Sequence, residues 1–209
     1  MADEFPPQCV VLAGPNGAGK STAAAYLLPD ALRLTRFLNA DTIARGLSGF
    51  DPDAEAFAAG RILLEAMDEY VRDRLDFAVE TTLSGRTLAK RLQGMRAAGY
   101  QVTLFFLSVP AAEFSMERVS RRVAAGGHDI PPETLRRRHN ATIQNFFRLY
   151  RPLADDWTLY DNSGAVPLDP VASGSGEASP TLFRSDLWYA LRERYDLPER
   201  DDERPPAAG

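Results

Sequence analysis

The residues with the clearest chemistry are Gly14-Pro15-Asn16-Gly17-Ala18-Gly19-Lys20-Ser21-Thr22. Their spacing is Gly, four residues, Gly-Lys-Ser. In that pattern successive backbone N–H groups turn inward around a polyphosphate, and glycine keeps Cβ atoms out of the turn. Lys20 is then placed to reach the β- and γ-phosphates of a nucleotide, and the Ser21 hydroxyl to ligate Mg²⁺. The apolar run Cys9–Ala13 precedes the loop and a helix-forming run follows it. Strand, loop and helix in that order turn a pattern match into a prediction of ATP or GTP binding.

A polyphosphate cradle alone does not separate a kinase from a switch or a motor. The chain has no Asn-Lys-x-Asp guanine-reading signature, and no long apolar strand ending in Asp-Glu. It offers acids and arginines suited to a small substrate. Asp41 is a candidate general base: an ionised carboxylate can orient an attacking hydroxyl and take its proton, worth roughly 10²–10⁴ in rate. Asp41 could equally cap a short helix beginning at Thr42. Glu80-Thr81-Thr82 suits sugar hydroxyls or a water-bridged Mg²⁺, or forms a plain strand-end turn. Arg118, Arg121, Arg122, Arg136, Arg137 and Arg138 flank a Gly-Gly-His-Asp break, as expected of a lid whose arginines neutralise a moving phosphoryl group. A solvated helix face paired with Glu113, Glu117 and Glu133 accounts for some of them. Arg118 and Arg122 share a helix face, Arg138 borders the packed face, and Arg137 points to solvent. His128 fixes a loop and His139 is half-buried packing. Neither has metal-ligand spacing.

These groups need a scaffold. Short apolar runs at Cys9–Ala13, Phe37-Leu38, Phe77–Glu80, Tyr100–Leu107 and Trp157–Asp161 alternate with helical patterns. The helices are predicted after the loop, over Pro52–Leu75 with Phe57, Leu64, Met67 and Val71 packing, over Arg86–Ala98, from Pro110 to about Ala125, and over Glu133–Tyr150. One helical turn is expected at Thr42–Arg45. The alternation predicts an α/β fold. It is a three-layer α/β/α sandwich around a mainly parallel sheet of about five strands, with a helical lid over 118–138. Lys20, Asp41, Glu80 and Asp161 all follow predicted strand ends, so four strands deliver polar groups to one edge. The kinase domain is placed at 1–170, a Ser/Gly linker at 171–180, a docking helix at 181–197 with Phe183, Leu187, Trp188, Leu191 and Tyr195 on its apolar face, and a disordered tail at 198–209.

The 209 residues suit one domain, and a net charge of −5 with 44% apolar residues argues for a soluble protein rather than a nucleic-acid binder. No apolar run spans a membrane, and the acidic start lacks a signal pattern. Cys9 is the only cysteine, which fits a reducing cytoplasm.

The combination of Ala13–Thr22, Asn39-Ala40-Asp41, Glu80–Gly85, Arg122–Pro131 and Asp161-Asn162-Ser163 resembles the zeta-toxin family of small-molecule kinases, from Val10 to about Ser163. The resemblance implies a P-loop kinase fold and transfer of the γ-phosphate of ATP, with Mg²⁺, to the 3′-hydroxyl of the amino sugar in UDP-N-acetylglucosamine. It implies Gly14, Pro15, Asn16, Gly17, Ala18, Gly19, Lys20, Ser21, Thr22, Arg118 and Asn162 on the nucleotide. Asp41 becomes the base, Arg122 and Arg138 the charge-stabilising arginines, and Asn39, Asp41, Glu80 and Thr82 the acceptor side. An antitoxin protein is an implied partner. Ser84 departs from the pattern: the larger toxins carry arginine there. The chain is also more compact than those toxins. Acceptors such as an antibiotic or nucleoside, or a nucleotide-dependent binding module without transfer, are the competing readings.

Overall fold

A computed structural model describes residues 5–124, 131–164, 166–195 and 197. The lid tip with His128 and the predicted tail lie outside the described residues. So do the side chains of Arg122 and three other helix residues.

Chain order is β1 (Gln8–Ala13), α1 (Lys20–Tyr26), β2 (Phe37–Leu38), α2 (Ala40–Leu47), α3 (Ala56–Arg72), β3 (Phe77–Thr81), α4 (Thr87–Ala97) and β4 (Gln101–Ser108). It continues with α5 (Ala112–Ala124), α6 (Pro132–Asn145), β5 (Asp156–Asp161), β6 (Asp169–Gly174), β7 (Thr181–Leu182) and α7 (Ser185–Arg194). The sheet has seven strands in the order β2-β3-β1-β4-β5-β6-β7. The first five are parallel and the last two antiparallel. β1 is central, so both its faces are covered, and Cys9–Ala13 form the continuous apolar run such a strand needs. Cys9, Val11 and Ala13 join one core with residues of α3, α4 and α7 and the turn after α6. Val10 and Leu12 join a second core with Ala23, Ala24 and Leu28. The three-layer α/β/α sandwich follows from that alternation.

The sheet is larger than the five strands expected, because part of the stretch read as a linker is β6. Its Ser/Gly composition hides the reason. At Gly174 a Cβ would stand 2.8 Å from the Trp157 ring, so the small residue is what lets the indole lie against the strand. Trp157 then stacks on Trp188 of α7 at 6.0 Å between ring centroids, and donates Nε1–H to the Gly176 carbonyl at 3.2 Å. Two apolar assignments fail. Phe57 is 86% exposed and Phe183 54% exposed. α3 begins at Ala56, after a turn that Asp51 caps by accepting from Ala54 N, so Phe57 falls in the helix's first turn.

Candidate active site

The glycine loop fits its neighbours without spare room. Gly14, Gly17 and Gly19 hold φ of 143°, 75° and 85°, a region costly for other residues. A Cβ on Gly14 would lie 2.2 Å from the Leu107 carbonyl oxygen, and one on Gly19 2.5 Å from Asn162 Nδ2. Asn162, just past β5, donates Nδ2–H to the Ala18 carbonyl at 2.6 Å and accepts from Leu168 N at 3.2 Å. One end of its amide thus braces the loop, and the other ties Asn162 to the connection between β5 and β6. Arg118 of α5 clips the loop from the other side, donating to the Gly17 carbonyl at 3.2 Å with its guanidinium 4.5 Å above the Phe114 ring. Asn16 is partly buried, Pro15 and Ala18 are buried, and Ser21 and Thr22 are exposed.

Lys20 opens α1. Its ammonium is buried, donates to the Pro15 carbonyl at 3.1 Å and stands 3.9 Å from Glu80 Oε1. Register explains that meeting: Leu12 pairs with Glu80 and Ala13 with Thr81, so β3 delivers its acid beside the loop. Ser21 Oγ donates to the Glu80 carboxylate, 3.0 Å from Oε2 and 3.2 Å from Oε1. Asn39 Nδ2 donates to Oε2 at 2.6 Å. The carboxylate faces Ser21 and Lys20, the phosphate side.

Asn39, not Asp41, caps α2: its Oδ1 accepts from Thr42 N at 2.9 Å. The helix runs for two turns rather than one, and Asp41 sits exposed in the first of them. Thr82 Oγ1 shares a hydrogen bond with Ser84 Oγ at 2.9 Å. Three side chains that sequence reasoning did not single out for this site hold the loop around them. Thr142 Oγ1, Asn145 Nδ2 and Tyr150 OH donate to the carbonyls of Thr82, Leu83 and Gly85 at 2.6, 2.7 and 2.7 Å. Leu83 in that loop has φ of 55°. All three fall within the helix expected over 133–150, whose pattern carries no sign of these bonds.

The lid arginines divide. Arg121 pairs with Glu117 at 2.6 Å within α5, and Arg136 with Glu113 at 3.3 Å across to α6. Arg137 and Arg138 are exposed on α6. Arg122 lies in α5, four residues beyond Arg118, with its side chain outside the described residues. A cleft of about 430 Å³ between α5, α6 and α7 contains none of the phosphate-loop residues. The candidate site is the sheet edge at Lys20, Ser21 and Glu80.

The residues present fit a nucleotide with a hard cation. A neutral and an anionic oxygen, Ser21 Oγ and Glu80, stand together beside a buried ammonium and a loop closed to Cβ atoms. No group of three or more His, Cys, Asp and Glu side chains suited to a metal occurs among the described residues. A cation here needs phosphate oxygens and water to complete its shell, which is how Mg²⁺ is usually held.

His139 is more deeply placed than half-buried packing. It is 1% exposed, with Nδ1 3.2 Å from Ser115 Oγ and Nε2 2.9 Å from Tyr195 OH, so it ties α5, α6 and the end of α7 together. Burial pushes its pKa down to about 4, against an ordinary value of 6.5. Between those values the unfolded chain binds a proton that the folded chain refuses, so stability is complete above pH 6.5 and falls as pH drops toward 4. The loss is expected to be on the order of 3 kcal/mol at most. Thermal melts at pH 7 and pH 4.5 check this, and His139→Gln should flatten the difference between them.

Comparison with known proteins places this architecture. The AAA domain family, AAA_33, matches residues 9–148, and the chain belongs to that family. An uncharacterized protein of Haemophilus influenzae is 26% identical over 132 residues, covering 63% of this chain and 92% of that protein. In fold the chain is similar to a structure of the AvrRxo1-ORF1:ORF2 complex with ATP, at a TM-score of 0.66 and 18% identity. That match covers 91% of this chain but only 64% of the other. It is also similar to a structure of the PezAT chromosomal toxin–antitoxin system of Streptococcus pneumoniae. There the TM-score is 0.65 and the identity 15%, over 97% of this chain and 84% of the other. Among the described residues no helix is long and apolar enough to cross a membrane.

Proposed function

We propose that this protein is an ATP- and Mg²⁺-dependent kinase of a small-molecule hydroxyl, with the 3′-hydroxyl of the amino sugar in UDP-N-acetylglucosamine the first acceptor to try. One observation carries the reading. The Glu80 carboxylate is shared by the Ser21 hydroxyl and Asn39 and lies beside the Lys20 ammonium, and Asn39 caps the helix whose first turn carries Asp41. Phosphate-binding groups and a free carboxylate on a neighbouring element are what transfer to an alcohol requires.

In this reading the loop N–H groups and Lys20 hold the β- and γ-phosphates. Ser21 and Glu80 would hold Mg²⁺, which when bound neutralises charge between those phosphates. Asp41 orients the acceptor hydroxyl and receives its proton. Arg118 supports the loop at Gly17 and faces the nucleotide side, and Asn162 keeps the loop in shape from β5. Arg122 and Arg138 are assigned to the transferring group. Thr82 and its neighbours read the acceptor. Two structural neighbours, a complex and a toxin–antitoxin system, support a protein partner as part of the proposal.

A second acceptor class has its own support. Ser84 and Thr82 present paired neutral hydroxyls where a sugar diphosphate would gain from a cation. A neutral alcohol, such as an antibiotic or nucleoside, suits that pair. Incubating the protein with ATP, Mg²⁺ and a cell metabolite extract, then following masses, decides between them. A UDP-sugar that gains one phosphate supports the first reading and a neutral alcohol the second. If no small molecule gains phosphate, the kinase reading fails in favour of a nucleotide-dependent binding module.

A further inference from the structure

We infer that Asn39 is a positioning residue: one amide aims the Glu80 carboxylate at Ser21 and, with its other end, fixes the helix that carries Asp41. The inference rests on the kinase reading but assigns Asn39 a place other than contact with the acceptor.

The side chain is 7% exposed and both of its polar atoms are committed. Nδ2 donates to Glu80 Oε2 at 2.6 Å, and Oδ1 accepts from Thr42 N at 2.9 Å. The amide's orientation is dictated by its partners. Only the NH₂ end can serve a carboxylate, and only the oxygen can accept a backbone N–H. Glu80 Oε2 is the same atom that accepts from Ser21 Oγ at 3.0 Å. A continuous line therefore runs from the first turn of α2, through Asn39 and Glu80, to Ser21 in the phosphate loop.

Strand register creates the encounter. Edge strand β2 pairs with β3 through Phe37 with Ala78 and Leu38 with Val79. The next residue on each strand is Asn39 and Glu80: β2 has ended by Asn39, while β3 stays paired with β1 through Glu80 and Thr81. A helix cap at position 39 is thus set beside the acid by two backbone pairings. Other residues serve only half of this. Serine caps a helix but is too short to reach the carboxylate, and aspartate caps but sets a second carboxylate against the first. Alanine does neither.

The consequence is a division of labour within one side chain. Glu80 can rotate about three side-chain bonds, and its fixed direction toward Ser21 comes from the Asn39 donor together with Lys20. Asp41 owes its place to the capped first turn.

The test uses the full chain, Mn²⁺ as the cation probe and a non-hydrolysable ATP analogue. Wild type, Asn39→Ser, Asn39→Ala and Glu80→Ala, and the double variant Asn39→Ser/Glu80→Ala, are compared by thermal melting, metal-free analogue binding, and Mn²⁺ affinity in the presence of the analogue. Asn39→Ser is expected to melt close to wild type and bind the analogue normally without metal. Its Mn²⁺ affinity should fall about tenfold or more, the usual cost of losing a group that orients a ligand. Asn39→Ala should add a lower melting temperature from the lost cap. In the Glu80→Ala background, Asn39→Ser should change Mn²⁺ affinity no further, because its effect passes through that carboxylate. An Asn39→Ser protein with wild-type Mn²⁺ affinity overturns the inference and leaves the kinase reading standing. A wild-type protein whose analogue binding does not respond to Mn²⁺ overturns both.

Discussion

Lys20→Ala should lower phosphoryl transfer by about 10³-fold, the upper range for loss of one preorganised charge-stabilising donor. The ammonium is 7% exposed, at the first residue of α1, donating into the loop at Pro15 O and 3.9 Å from Glu80. These contacts hold it inside the cradle, so little reorganisation is needed when charge moves. The geometry also argues against rescue by arginine. A planar fork needs more width than the compact ammonium and cannot make the same bond to the Pro15 carbonyl. Lys20→Arg should recover less than a tenth of wild-type turnover. Both variants are measured by ADP release with the acceptor found in the metabolite screen, alongside a thermal melt to show that each is folded. Turnover of a folded Lys20→Ala protein within tenfold of wild type would remove the phosphate role of this residue.

That prediction could be framed from sequence because the phosphate loop is a local signal. Its glycines, Lys20 and Ser21 lie within nine consecutive residues, and the apolar run of β1 adjoins them. Helix and strand order was readable for the same reason. What escaped was set across the chain. Glu80 suited sugar hydroxyls or a cation equally well until the pairing of Leu12 with Glu80 put its carboxylate on Ser21. Asp41 read equally well as a base or as the cap of α2, and only the backbone path out of β2 gives the cap to Asn39 instead. The bonds from Thr142, Asn145 and Tyr150 to the loop after β3 join residues more than fifty positions apart. β6 escaped because its Ser/Gly composition is that of a linker, while its reason for being small is the Trp157 ring across the sheet. Periodicity also overstated packing at Phe57, where an apolar residue at the right spacing faces solvent.

Asp41→Asn is the sharper test of the transfer itself, with an expected fall in kcat of roughly 10²–10⁴-fold. The substitution keeps the side chain's size and removes its negative charge, and with it the ability to take a proton. Its structural cost should be small. Asp41 is exposed and the capping bond belongs to Asn39, so what is lost is one favourable charge in the first turn of α2, about 0.3–1 kcal/mol. Binding of the ATP analogue and of Mn²⁺ should stay at wild-type levels, because Lys20, Ser21 and Glu80 form that half of the site without Asp41. Asn39→Ser and Asp41→Asn therefore separate neighbouring residues by what they impair: cation binding in the first, proton removal in the second. Should Asp41→Asn turn over the acceptor within tenfold of wild type, the base lies elsewhere, and the only transfer-side role left to α2 is to shape the acceptor pocket.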